Sequence, residues 1–134
     1  MTEPARGDGG REIVTAPSAP PAVGPYSHAV RAGGLLFCSG QIPLDPAGAE
    51  IVGAGAAEQI EQCLRNLEAV CAAAGTSLER AVRLTIYTTE LEQFGAINEA
   101  YGRFFGSDPP ARVAVGVAAL PMGALVEVEA VVAV

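Results

Sequence analysis

The C-terminal stretch limits this fold more than any other. Pro109 to Pro121, followed at once by Met122 to Val132, is almost wholly apolar and carries strand periodicity in both halves. In a strand alternate side chains share a face. Arg112 therefore goes with Ala114, Gly116 and Ala118, while Val113, Val115, Val117 and Ala119 take the other side. The valine side is the expected core face. The small residues beside Arg112 leave space next to the guanidinium or let another backbone approach. In the second half Val126, Val128, Ala130 and Val132 form the apolar series, so Glu127 and Glu129 project oppositely. Paired as a hairpin, the two halves would set Arg112 and Glu127 on one side of one sheet. Two such charges either serve a ligand or are solvated on an exposed sheet face, and the pattern permits both.

A chain of 134 residues, half of them hydrophobic, suits one domain with a core that needs neither metal nor disulfide. Its net charge of -7 argues against nucleic-acid binding, which calls for a basic face. A small anion held at one arginine remains compatible with it. All eight basic residues are Arg. Without lysine, Schiff-base catalysis and covalent pyridoxal phosphate attachment are excluded. A catalytic triad could be built only around the single histidine, His28, and His-rich metal sites are impossible. Cys38, Cys63 and Cys71 lack CxxC spacing, so zinc and a disulfide framework are poorly supported and a reducing cytoplasm fits best. No apolar run approaches the roughly 18–20 residues of a membrane span, and the N-terminus has no apolar signal segment. Neither secretion nor a membrane location is expected.

Residues 1–10 read as a disordered tail and residues 11–134 as a single domain. Arg11 to Thr15 suits a short edge strand. Pro17, Pro20, Pro21 and Pro25 make the next segment an extended connection over a surface. Ala29 to Arg31 and Leu35 to Cys38 read as strands joined at Ala32-Gly33-Gly34, the second running into a bulge or close approach at Gly40. A small strand is expected near Glu50 to Val52. Ala56 to Ala74 is the strongest helix signal, with Ile60, Cys63, Leu64, Leu67, Val70 and Cys71 on one stripe and Gly75 as its stop. This makes Cys63 and Cys71 core residues. Ala81 to Thr88 reads as a central strand with Val82, Leu84 and Ile86 facing one way and Arg83, Thr85 and Tyr87 the other. Leu91 to Phe105 is a second amphipathic helix, striped by Leu91, Phe94, Ile97, Tyr101, Phe104 and Phe105. The order β-β-β-α-β-α-β-β gives an α+β sandwich of two layers, with two helices on one face of a mixed sheet. The bare face is expected to carry Arg112, Ala114, Gly116 and Glu127, with Tyr87 a further candidate. Such a face can be buried by symmetric oligomerisation.

Five segments together resemble the reactive-intermediate deaminase (RidA/YjgF) family: Gly24-Pro25-Tyr26-Ser27, Phe37 to Pro43, Asn98-Glu99-Ala100-Tyr101 with Phe104-Phe105, Pro110-Ala111-Arg112, and Leu120 to Ala130. The likeness spans residues 11–134. It implies a homotrimer of chorismate-mutase-like subunits with ligand clefts at the subunit interfaces. It also implies hydrolysis of 2-imino acids, or enamine tautomers such as 2-aminoacrylate, to 2-keto acids and ammonia, with no cofactor or metal. Carried over by position, the carboxylate-binding arginine falls on Arg112 and the water-positioning glutamate on Glu127. The pocket tyrosine falls on Tyr26, the ligand loop on Ser39 and Gly40, and the pocket asparagine on Asn98. At Ala114 the family often has a cysteine. Alanine keeps the backbone carbonyl offered there to ligand or water and loses any role of the thiol. A glutamine common after the tyrosine turn is His28 here, expected at a surface or interface rather than in catalysis.

The chemistry that the resemblance implies needs a held substrate, an aligned water and proton transfer. Arg112 suits the first task through its planar fork. Glu127 suits the second, and Tyr26 can close the pocket or pass a proton. Two other readings stay open: a non-catalytic trimer that binds a small carboxylate or scaffolds another protein, and a pathway-specific deaminase in small-molecule biosynthesis. Ribonuclease activity is disfavoured by the acidic charge and the lone histidine.

Overall fold

The computed structural model describes residues 10–134, so the tail expected over residues 1–10 falls, apart from Gly10, outside the description. Six strands and two helices follow the expected order: β1 (Glu12–Val14), β2 (Ala29–Ala32), β3 (Leu35–Gln41), α1 (Ala56–Ala73), β4 (Ala81–Thr88), α2 (Phe94–Phe104), β5 (Ala111–Gly116) and β6 (Val126–Ala133). They form one mixed sheet in the order β1-β2-β3-β6-β4-β5. No described helix is long and apolar enough to cross a membrane.

Helix α1 forms where the apolar stripe lies. Ile60, Cys63, Leu64, Leu67, Val70 and Cys71 are fully buried, as the periodicity requires. The Glu58 carboxylate accepts the Gly55 N–H at the first turn (3.0 Å). At the other end Gly75 takes a left-handed conformation (φ 79°), and the Gly75 and Thr76 amides donate back to the Ala72 and Cys71 carbonyls. This closure satisfies carbonyls that a helix end otherwise leaves open. Below α1, Val126, Val128, Ala130 and Val132 of β6 complete the core, with Leu84 and Ile86 of β4.

The expected hairpin does not exist. β6 pairs antiparallel with both β3 and β4, and β5 pairs parallel with β4, at the sheet edge. Strand β4 thus separates the two halves of the C-terminal stretch. The physical reason is that residues 117–125 form a connection long enough to step across a strand, and β6, with an unbroken buried series, takes the place with two neighbours. The face assignment of β5 reverses with it. Leu84 and Ile86 lie beside Arg112 and Ala114, so these point to the helix side. Val113 and Val115 stand exposed on the open face beside Thr85 and Tyr87. Glu127 lies opposite Tyr87 on that open face, so Arg112 and Glu127 occupy opposite sides of the sheet. The open face carries Val113, Val115, Tyr87, Glu127 and Glu129, not Arg112, Ala114 and Gly116.

Smaller expectations also change. A bulge between Ala81 and Arg83 throws Val82 out of the core face and exposes it. The strand expected near residues 50–52 is a single bridge from Leu44 to Ile51. Leu91 belongs to a short 3-10 turn before α2 and is exposed. His28, expected at a surface or interface, is buried within the protomer.

Candidate functional site

The named residues fall into two groups on one protomer. Tyr26, Ser39, Gly40 and Glu127 line a cavity of about 330 Å³. Its remaining walls come from Pro20, Pro21 and Val23 of the proline-rich segment, from Gln41 at the end of β3 with Ile42 and Leu44 after it, and from Pro121 in the turn before β6. Arg112 and Asn98 stand elsewhere, at the helix-side edge formed by α2 and β5, and Ala114 is half-buried beneath them against the core.

Glu127 reaches the cavity because β3 breaks register between Cys38 and Gln41. Such a bulge bends a strand and re-aims what lies beside it. Gly40 sits in that break, and a Cβ there would overlap Glu127 Oε2 and lie 3.1 Å from its Cδ. Ser39 fixes the same loop, its hydroxyl donating to the Ser27 carbonyl at 2.6 Å and its amide to the His28 carbonyl at 3.0 Å. Tyr26 is exposed at the rim, where its hydroxyl accepts the Val23 N–H (3.3 Å). Burial, and then the charge of Glu129, hold the Glu127 carboxyl above its ordinary range. Both effects favour the protonated acid.

A second recess of about 250 Å³ continues from Gly40 and Glu127 to Tyr87, Leu120 and Glu129. The Tyr87 hydroxyl donates to Glu129 Oε2, and this bond raises the Tyr87 pKa. Glu129 was readable as a neighbour of Glu127, since the two are one strand repeat apart. The wall from Pro20 to Val23 carried no local signal, because only the fold brings it there.

At the other group the guanidinium lies 5.2 Å from the Phe94 ring centre and 5.0 Å from that of Tyr101, and Nη1 donates to Asn98 Oδ1 at 2.7 Å. Cation–π stacking at exposed sites contributes about 0.5–1 kcal/mol. These contacts fix the plane of the fork and leave most of its donors for a ligand. The aromatic stripe of α2 therefore both packs the core and orients Arg112. Among the described residues no cluster of His, Cys, Asp and Glu could hold a metal ion.

A family model described as Endoribonuclease L-PSP matches residues 16–134. The chain belongs to the RidA family. Among its relatives is the RutC family protein y4sK of Sinorhizobium fredii, 51% identical over 121 residues that cover 90% of this chain and 96% of that protein. The human 2-iminobutanoate/2-iminopropanoate deaminase is 40% identical over 121 residues, covering 90% and 88%. Among solved structures, RidA from an Antarctic Psychrobacter superimposes with a TM-score of 0.87 at 38% identity, covering 92% of this chain and 99% of that one. The two helices and the six-stranded mixed sheet are thus the RidA-family fold.

Proposed function

We propose that this RidA-family protein is a homotrimeric, chorismate-mutase-like hydrolase that converts 2-imino acids, or their enamine tautomers, to 2-keto acids and ammonia. The observation that carries the reading is the split of charged groups between the two faces of one sheet. A second copy brings an Arg112 edge against the Glu127 cavity of the first, and the cleft is completed between subunits. The exposed Val113, Val115 and Phe37 supply apolar surface for that contact. The deaminase name of the human relative supports the reaction class.

In this site Arg112 grips the substrate carboxylate with charge-assisted hydrogen bonds, each contributing on the order of 1.5–3 kcal/mol. Asn98, Phe94 and Tyr101 hold its plane. Glu127 accepts a hydrogen bond from the attacking water and takes its proton as the carbinolamine forms. A carboxyl whose pKa is raised is a stronger base than an ordinary one. From a protonated imine, the carbinolamine nitrogen takes that proton back from Glu127, the C–N bond breaks and ammonia leaves, and the carbinolamine hydroxyl gives its proton to Glu127 as the keto acid forms. Such proton transfer is generally worth about 10²–10⁴-fold. Tyr26 closes the rim, and Ser39, Gly40 and the Ala114 carbonyl bound the ligand. His28 moves no proton in the reaction, since both ring nitrogens already bond backbone within the protomer. That arrangement also withholds the one imidazole a ribonuclease mechanism would draw on.

The experiment mixes two inactive variants. Arg112→Ala and Glu127→Gln are each expected to lose hydrolysis of imines generated by an amino-acid oxidase and followed by semicarbazide trapping. Unfolded together and refolded, they form mixed trimers in which some clefts pair an intact arginine with an intact glutamate. Activity should reappear. Full activity of Arg112→Ala alone would overturn the reaction, and absence of complementation would overturn the shared cleft.

A further inference from the structure

We infer that His28 is a positioning residue that fastens the proline-rich strap of residues 16–23 as one wall of the cavity, and that this wall selects imino acids with extended apolar side chains. The inference rests on the reading above and names the substrate class of the same site.

Residues 16–23 pair with no strand, so the backbone groups of the strap need other partners. His28 serves two of them. The Ala16 N–H donates to Nδ1 at 2.9 Å, and Nε2 lies 2.8 Å from the Pro20 carbonyl. An amide can only donate and a carbonyl can only accept, so the ring is neutral with its hydrogen on Nε2. Only 7% of His28 is exposed, and it anchors the strap from beneath. The Ala19 amide closes a turn onto the Ala16 carbonyl at 3.1 Å. Gly48 lies close by, where an added Cβ would come within 2.9 Å of Pro21 Cδ. At the other end of the strap the Tyr26 hydroxyl accepts the Val23 N–H, so side chains bond its backbone at Ala16, Pro20 and Val23, the first two through His28.

What the strap presents to the cavity is apolar. Pro20, Pro21 and Val23 face the space that Ile42 and Leu44 line from the loop after β3, while Ser39, Gly40 and Glu127 make the polar part. With the reacting carbon held at Glu127 and the carboxylate at an incoming Arg112, the apolar walls are left to the substrate side chain. A volume of about 330 Å³ is far more than the methyl group of the smallest imino acids needs. Each methylene buried there contributes about a fourfold gain in binding. A charged side chain would find no counter-charge on the strap.

The test measures kcat/KM for imines generated from alanine and from leucine, and Kd for 2-oxopropanoate and 4-methyl-2-oxopentanoate by calorimetry. It uses the full chain and the variants His28→Leu and His28→Gln. Wild type should favour the longer member of each pair. His28→Leu keeps the bulk and loses both hydrogen bonds, and should lower the leucine-to-alanine ratio about tenfold through KM, close to two methylenes of lost burial. His28→Gln offers an acceptor and a donor side by side, as the neutral ring does, and should restore the ratio. Equal losses on both substrates without rescue by glutamine would overturn the inference. Should His28→Leu fail to fold, Val23→Ser on the exposed part of the strap must still lower the ratio, and an unchanged ratio there overturns the wall. If no imine is turned over but 4-methyl-2-oxopentanoate still binds more tightly and responds to the variants, the reaction fails and the wall stands. Wild type without preference between the keto acids refutes the wall itself.

Discussion

Replacing Gly40 by alanine tests how closely the Glu127 carboxylate must be held. Gly40 does not have a positive φ, so alanine suits its backbone. The new Cβ would overlap Oε2, and it would also lie 3.1 Å from Cδ and 3.3 Å from Cγ of Glu127. Rotating the carboxylate about its last bond moves neither carbon, so the side chain must swing as a whole. Restoring ordinary contact displaces the oxygen by on the order of 1 Å, and a misplacement of that size can cost about 100-fold in rate. Stability should change little. The displaced group is the free end of a half-buried side chain, and alanine recovers roughly 0.5–1 kcal/mol of backbone entropy over glycine. The assay is kcat/KM on the oxidase-generated imine beside a thermal melt. A loss of about 100-fold with an unmoved Tm is expected, and adding Glu127→Gln should cost much less than it does alone, because both changes remove one function. Wild-type kcat/KM in Gly40→Ala would refute the claim that carboxylate placement limits the reaction.

Other consequences can be checked separately. Glu127 has a raised pKa in the folded chain, so the native state binds protons more tightly than the unfolded one and loses stability as pH rises through that pKa. Glu127→Gln should therefore raise Tm at neutral pH, and the difference should shrink as the melt buffer is made acidic. Asn98→Ala removes one hydrogen bond from Arg112 but leaves both aromatic rings against it. A rise in KM of roughly five- to tenfold, near the 1 kcal/mol typical of one such bond, with kcat nearly constant would show that Asn98 orients the fork. Met122 holds φ 58° in the turn before β6, a left-handed conformation that costs an L-residue about 1–2 kcal/mol. Net of the added chain entropy of glycine, Met122→Gly should stabilise the protein by about 0.5–1 kcal/mol in urea unfolding.

The helices were readable because their signals are local. The stripe from Ile60 to Cys71 and the stop at Gly75 lie within one element, and the structure keeps both. Strand order was not, since period two tells which residues share a face and says nothing of which strand lies alongside. The same limit reversed β5. Val113 and Val115 carry the pattern of a covered face, and that face is bare in the protomer, beside Tyr87 rather than beneath a helix. An apolar face records that something covers it without naming the cover. The proline-rich segment carries no helix, as its prolines require, but the bond of His28 to it depends on the eleven residues between Ala16 and His28 folding back.

Separation of the two charges also explains a property the hairpin reading would have denied. Side by side on one sheet face, Arg112 and Glu127 would form an ion pair. That pair would lower the Glu127 pKa, weaken it as a base and occupy the fork meant for a carboxylate. In the folded protomer Glu127 instead meets Glu129 and an apolar wall, and its pKa is raised. Arg112 meets two aromatic faces and a neutral amide, which orient the guanidinium without neutralising it. On the proposed reading the groups come together only across a subunit boundary with an imino acid between them. Arg112 then finds its counter-charge in the substrate carboxylate, and Glu127 remains free to take a proton from water.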